Sequence, residues 1–136
     1  MEYDLDELLS IANENVRHCY APYSKIRVVA VLLTDRGVYV GVNIENASYG
    51  LTICAERVAI FKSVSEGVRK FKKMLIYSPD VTPIPCGACL QVLSEFADEN
   101  FEILIASVGS RGETLVKSYR LRDLLPLRFN IRKDNP

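Results

Sequence analysis

Two short stretches, Cys54-Ala55-Glu56 and Pro85-Cys86-Gly87-Ala88-Cys89, constrain this chain more than anything else in it. Three cysteines so arranged, with a carboxylate close to the first, read as a catalytic zinc site. A structural zinc normally takes four protein ligands, whereas a catalytic one takes three and keeps a position for water. The Cys86/Cys89 spacing alone also fits a redox pair or a chance i,i+3 contact; the joint pattern is the specific one. The fourth cysteine, Cys19, lies far upstream and reads as a buried apolar cysteine.

A chain of 136 residues is expected to form a single domain, 1–136, that buries roughly two thirds of its unfolded surface. The composition, 49% hydrophobic and 25% charged, excludes disorder and leaves room for an apolar surface buried against a partner subunit. Lys+Arg and Asp+Glu both number 17, which argues against a broad nucleic-acid or anionic-membrane surface. Met1-Glu2-Tyr3-Asp4 is acidic where an export signal needs a basic flank, and no apolar run approaches membrane-spanning length. A cytoplasmic protein with metal-bound thiolates is therefore expected, rather than a disulfide-stapled one.

Leu5, Leu8, Leu9, Ala12 and Val16 fall at helical spacing over residues 4–17. Residues 26–34 read as a strand covered on both faces, Asp35-Arg36-Gly37 as a hairpin turn, and 38–44 as a second, antiparallel strand. The loop 45–52 precedes a helix ending near Glu66, with Thr52 its expected N-cap and Gly67 at its C-terminal cap. A strand at 72–78, a loop stiffened by Pro79, Pro83 and Pro85, a helix at 86–98 and a strong strand at 101–108 follow. A weak strand at 114–117 and a short helix at 121–125 precede a polar tail, 132–136, expected to be frayed. The order predicts an α/β protein, a three-layer α/β/α sandwich with a mixed five-stranded sheet.

Cys86 and Cys89 are three apart, hence on one face of a first helical turn, and Cys54 opens the preceding helix. Helix N-termini favour the thiolate form. Cys54 and Glu56, however, lie about 200° apart on an ideal helix, so both serve one site only if the metal lies over the helix end. Zinc lowers the pKa of water from about 16 towards 7, and Glu56 is placed to take that proton and pass it on. Arg57 is either a surface residue or a donor to the cysteine sulfurs that offsets the charge of three thiolates.

The motif resembles that of the small, homotetrameric, zinc-dependent cytidine deaminases, whose signature is a ligand-x-Glu followed by Pro-Cys-x-x-Cys. The similarity extends to Tyr20-Ala21-Pro22-Tyr23-Ser24, Gly41-x-Asn43-Ile44-Glu45-Asn46, Tyr49, Arg57 and Leu124-Leu125-Pro126. It implies one zinc per chain on Cys54, Cys86 and Cys89, with Glu56 as the catalytic residue. It also implies that Asn43 and Glu45 hold the ribose 3′-hydroxyl and that Ala47, Ala55 and Ile26 belong to the substrate site. Tyr49 and Phe129 would reach a neighbour's site, although Phe129 also reads as an anchor of the tail in its own core. The family commonly has phenylalanine where Ile26 stands, glycine where Val29 stands and arginine where Leu90 stands.

The implied activity is hydrolytic deamination of cytidine and deoxycytidine, with no nucleic-acid or membrane partner. The alternatives are a deaminase of another aminopyrimidine nucleoside or analogue, and a non-catalytic zinc-stabilised assembly module. Glu56 argues against the second, since a structural site would want a fourth ligand and not a base. Nucleic-acid editing is weakened by the balanced charge and by the lack of aromatic–basic interleaving.

Overall fold

The strand β1 (Val29–Thr34) is the element that the others cover, with all six of its residues buried. In the computed structural model, which describes residues 2–131, β1 pairs antiparallel with β2 (Gly37–Val42) on one side and with β3 (Phe71–Tyr77) on the other. β4 (Glu102–Val108) runs parallel to β3, and β5 (Thr114–Arg120) closes the sheet antiparallel to β4, giving the order β2-β1-β3-β4-β5. The expected mixed five-stranded sheet is thus present.

Strand alternation divides the apolar residues between two faces. Val29, Val31, Leu75, Tyr77, Leu104 and Ala106 pack against Leu8 and Ala12 of α1 (Leu5–Asn15). Ala30, Leu32, Met74, Ile76, Ile103 and Ile105 pack against α2 (Ala55–Ser65) and α3 (Gly87–Ser94), with Leu121 of α4 (Leu121–Leu124) in the same cluster. Burying a side chain such as Leu32 stabilises by about 1.5–3 kcal/mol relative to leaving it exposed. Asp4 and Glu7 start α1 with a reciprocal capping box. Gly67, at φ 84°, ends α2 in the left-handed conformation that glycine adopts without strain. The sandwich is the predicted one.

Several boundaries differ. The strand expected at 26–34 begins only at Val29, because 26–28 is held mainly by the side chains of Asn43 and Asp80, with a single main-chain bond from Asn43 N to the Val28 carbonyl. The helix expected at 86–98 ends at Ser94, and β5 runs three residues beyond the expected 114–117. Thr52 does not cap α2: its hydroxyl accepts from the Asn46 amide, and Cys54 is the N-cap. Cys19 is only half-buried, and its thiol donates to the Val28 carbonyl. The tail 132–136 lies outside the described residues. Among the described residues, no helix is long and apolar enough to cross a membrane.

One end of the sheet gathers several connecting segments. Val29, the first residue of β1, faces Val42 at the end of β2 and Tyr77 at the end of β3. The segments 26–28, 43–45 and 78–85 therefore emerge side by side. Ile44 bridges Tyr20 and Ile53 through backbone hydrogen bonds, which brings residue 54 to the same end. Gly41 lets α2 approach β2 closely, since a β-carbon there would overlap the Ala55 carbonyl and the Ala59 amide. Gly41→Ala should therefore displace the start of α2 and destabilise the fold by about 3 kcal/mol, the upper part of the range for overpacking, since backbone cannot yield as a side chain does. Denaturant titration measures it; a loss below about 1 kcal/mol would mean that α2 moves off the sheet freely.

Candidate active site

Cys54 and Cys86 are both N-cap residues, with extended backbone at φ −77°, ψ 150° and φ −75°, ψ 165°. Each carbonyl accepts the first intrahelical bond, from Val58 and Leu90 respectively, while neither sulfur caps its own helix. The sulfurs are left free to meet outside the two helix ends. Cys54 Sγ lies 4.0 Å from Cys86 Sγ, Cys86 Sγ lies 3.6 Å from Cys89 Sγ, and all three fall within 4.8 Å of one another. A tetrahedral zinc with Zn–S bonds of about 2.3 Å requires sulfurs about 3.8 Å apart. The donor set fits that ion.

Because Cys54 stands outside the helix, the 200° phase difference from Glu56 does not apply. Glu56 occupies the second position of α2, and both residues line one cavity of about 240 Å³. The other walls come from Val28, Asn43, Ala55, the stretch Val81–Ile84 and Cys86. Glu56 is only 6% exposed, and burial pushes its carboxyl up to about 7. Arg57 Nη2 donates to Cys54 Sγ at 3.6 Å, so the alternative of a free surface arginine does not hold. Among the described residues, Arg57 Nε is buried without a hydrogen-bond partner.

Electrostatics follow from this packing. A hydrogen bond from the Cys89 thiol, together with Arg57 and Cys86, holds the Cys54 thiol down to about 5. Cys89 goes the other way, pushed up by its bond to Cys54 and by burial. The triangle thus favours one thiolate at its Arg57 corner and resists a second, a resistance that a divalent cation removes.

The remaining residues singled out in the sequence surround this centre unevenly. Asn43 lines the cavity, and its amide is engaged with the backbone: Oδ1 accepts from Val28 N at 3.0 Å and Nδ2 donates to Ile26 O at 2.7 Å. Glu45 is half-buried; it accepts from Tyr23 N at 2.9 Å, from Ser24 N at 3.1 Å and from the Ser24 hydroxyl, which holds its carboxyl below the usual range. Ala47 is exposed, and Tyr49, 76% exposed, stands edge-on to Tyr23 with ring centroids 6.1 Å apart. Ile26 is exposed and offers its carbonyl to Asn43, while Val28 forms the cavity wall. Leu90 is buried in the core. Phe129 is 73% exposed, so it does not anchor the tail in its own core; its carbonyl accepts from Gln91 Nε2 at 3.0 Å.

Sequence reasoning missed Val28 and the wall 81–84. The alternation along 26–28 puts Ile26 and Val28 on one face, and nothing in the pattern says which of them reaches the cavity. It also missed an ion pair between Arg27 and Asp80, which no local pattern links across the chain.

Comparisons with known proteins agree with this geometry. Residues 2–105 match the family described as the cytidine and deoxycytidylate deaminase zinc-binding region. The chain is 41% identical over 116 residues to a cytidine deaminase of Sporosarcina psychrophila, covering 83% of this chain and 85% of that protein. It is 37% identical over 134 residues to a cytidine deaminase of Halalkalibacterium halodurans, covering 97% and 98%. A crystal structure of cytidine deaminase from Burkholderia pseudomallei superposes with a TM-score of 0.83 at 36% identity, covering 93% of this chain and all of that one.

The ligand assignment is checked by removing one sulfur. Cys89→Ala should lose zinc and unfold at lower temperature, because metal affinity is folding free energy. Cys19→Ala should keep a full complement of metal. Zinc quantification per chain after gel filtration reads both, and full occupancy in Cys89→Ala would show that the ligand set is wrong.

Proposed function

The chain belongs to the cytidine and deoxycytidylate deaminase zinc-binding family, and from that premise we propose how its residues carry out hydrolytic deamination of cytidine and deoxycytidine. Water adds at C4 of the base, the C4–N4 bond breaks, and ammonia leaves with the uridine product. Cys54, Cys86 and Cys89 hold one zinc ion per chain. When bound, zinc lowers the pKa of water from about 16 towards 7 and so supplies the nucleophile near neutral pH.

Glu56 moves the protons. Its carboxylate takes one from the attacking water and delivers it to ring nitrogen N3, then takes the second from the new C4 hydroxyl and delivers it to the departing N4 as the C4=O forms. A carboxyl raised by burial suits this double duty, since a shuttle works best with a pKa near the working pH. Arg57 draws negative charge from Cys54 and keeps the sulfurs from over-neutralising the cation. Val28, Val81 and Ile84 give the base an apolar slot.

Asn43 has one amide hydrogen and one lone pair left after its backbone bonds, and these, with Glu45, receive the ribose 3′-hydroxyl. Ala55 lies against the substrate in the cavity, Ala47 borders the sugar, and Ile26 supplies an apolar rim. The observation that carries this reading is the buried Glu56 in one cavity with Cys54 and Cys86, two corners of a sulfur triangle of zinc dimensions.

We further propose that residues 1–136 form one domain and that four copies assemble, with Tyr49 and Phe129 entering a neighbour's site. Leu127 at 91%, Phe129 at 73% and Ile131 at 85% exposure give this chain an apolar strip that a partner would cover. The equal number of basic and acidic residues, 17 each, supports a free nucleoside as substrate in place of nucleic acid. The proposed setting is cytoplasmic pyrimidine salvage.

Ultraviolet-monitored turnover of cytidine tests the reaction. Glu56→Gln should keep zinc and circular dichroism while losing at least ~10²–10⁴ of turnover; activity within tenfold of the parent would remove Glu56 from the shuttle. Shared sites are tested by complementation. Glu56→Gln and Phe129→Ala chains, each folded, zinc-loaded and nearly inactive, should regain activity when unfolded together and refolded. Recovery no greater than the sum of the separately refolded variants, with mixed assemblies shown by mass spectrometry, would mean that each site lies within one chain.

A further inference from the structure

The segment 26–28 leads into β1 but lies outside the strand ladder. β1 pairs with β3 only as far as Val29 opposite Tyr77, and Pro79 has no N–H with which to continue the ladder. On the β2 side, Asn43 continues the pairing with main chain and side chain together: its backbone N–H donates to the Val28 carbonyl at 3.2 Å, and its side-chain amide bonds Val28 N and Ile26 O. On the β3 side, Asp80 replaces a strand. Its Oδ2 accepts from Arg27 N at 2.9 Å and from Arg27 Nε at 3.0 Å, while its Oδ1 accepts from Arg27 Nη2 at 2.9 Å. Backbone and guanidinium of one residue are thus both fastened to one carboxylate.

Asp80 is itself fixed. The buried Ser78 hydroxyl accepts from the amides of Asp80 at 3.1 Å and Val81 at 3.2 Å. The residues immediately after Asp80, Val81 to Ile84, form one wall of the substrate cavity and lead into Cys86. The residue immediately after Arg27, Val28, forms another. Neither Arg27 nor Asp80 lines the cavity; each stands next in sequence to a residue that does.

We propose that Arg27 and Asp80 form a latch across the outside of the substrate pocket, fixing the distance between its Val28 and Val81–Ile84 walls and so setting nucleoside affinity. Both are positioning residues: they touch neither the sulfur triangle nor Glu56, and the latch acts on substrate binding rather than on proton transfer. Its strength is bounded by exposure, since the two side chains are 46% and 25% accessible. The fork-to-carboxylate geometry places it at the upper end for such pairs. The inference rests on the reading of this cavity as the nucleoside pocket.

The experiment is a double-mutant cycle on Arg27→Gln and Asp80→Asn, read on KM and kcat for cytidine and, without chemistry, on calorimetric binding of uridine. Each single variant should raise KM and the uridine Kd about threefold to fivefold, the span of a well-aligned exposed pair. Each should keep kcat within about twofold and retain one zinc per chain. The double variant should be no worse than either single one, and Arg27→Lys, which keeps the charge but not the fork, should fall between. Lys73→Gln, which breaks the ion pair to Glu102 at the other end of β3, controls for general loss of stability and should leave KM alone. Unchanged KM and Kd in both folded, zinc-loaded single variants would overturn the latch, as would additive losses or a fall confined to kcat. A parent that binds uridine but does not turn over cytidine would instead count against the assigned activity, while the uridine cycle still decides the latch.

Discussion

Three cysteine sulfurs within 4.8 Å of one another cannot all be anions without help, and most of the fold around them supplies that help. A divalent cation is the largest contribution. The starts of α2 and α3 add the positive ends of two helices, and Arg57 adds a full charge on Cys54. Each requirement reaches back into the architecture. The start of α2 arrives in place because Gly41, Ala55 and Ala59 let it lie against β2, and because Ile44 ties residue 53 to the end of the sheet. The start of α3 arrives because β3 ends at the same edge as β1 begins. Metal chemistry and sheet topology are therefore one constraint.

The sequence carried the order of elements, the two-faced character of the central strand and the four residues at the heart of the site. Those signals are local or periodic: β-branched runs, a proline before a cysteine, an acidic residue two positions after one. The ideal-helix phase between Cys54 and Glu56 misled, because one residue of backbone outside the helix changes a side chain's direction and no propensity marks that boundary. Residues 26–28 look like strand because Ile26 and Val28 continue the apolar run of β1. What they lack is a partner strand on the β3 side, and that depends on Pro79 and Asp80, some fifty positions away. Val28 as the wall and Arg27 as the fastening were hidden for the same reason.

The rim of the cavity shows a recurring solution to the problem of satisfying backbone groups beyond the end of a sheet. Asn43 serves 26–28, Asp80 serves Arg27, and Glu45 serves Tyr23 and Ser24, each with a side chain standing in for a strand. Two of these three are also the residues proposed to hold the sugar. An ionised carboxylate has about four lone-pair sites, so Glu45, accepting three donors, retains capacity for one more. Substituting Asn43 or Glu45 would therefore disturb the wall and the ligand contact together, and a change in affinity there cannot be assigned to either one alone. Arg27 and Asp80 separate the two, because they hold the wall without facing the cavity.

The tail after α4 is organised on a different principle. Leu127, Phe129 and Ile131 point outward at strand spacing, while the residues between them turn inward. Arg128 Nη1 donates to the Ser94 and Ala97 carbonyls at 3.1 and 2.9 Å, and Gln91 holds the Phe129 carbonyl. The Ser94 and Ala97 carbonyls lie at and just beyond the end of α3, where a helix leaves acceptors without intrahelical partners. Polar contacts thus fix the path of the tail, and its apolar side chains stay available. Side chains and loops that must be ordered on association reduce its affinity. A tail already ordered by its own chain moves that cost into folding, so that in the proposed tetramer Phe129 would reach a neighbouring site from a fixed position.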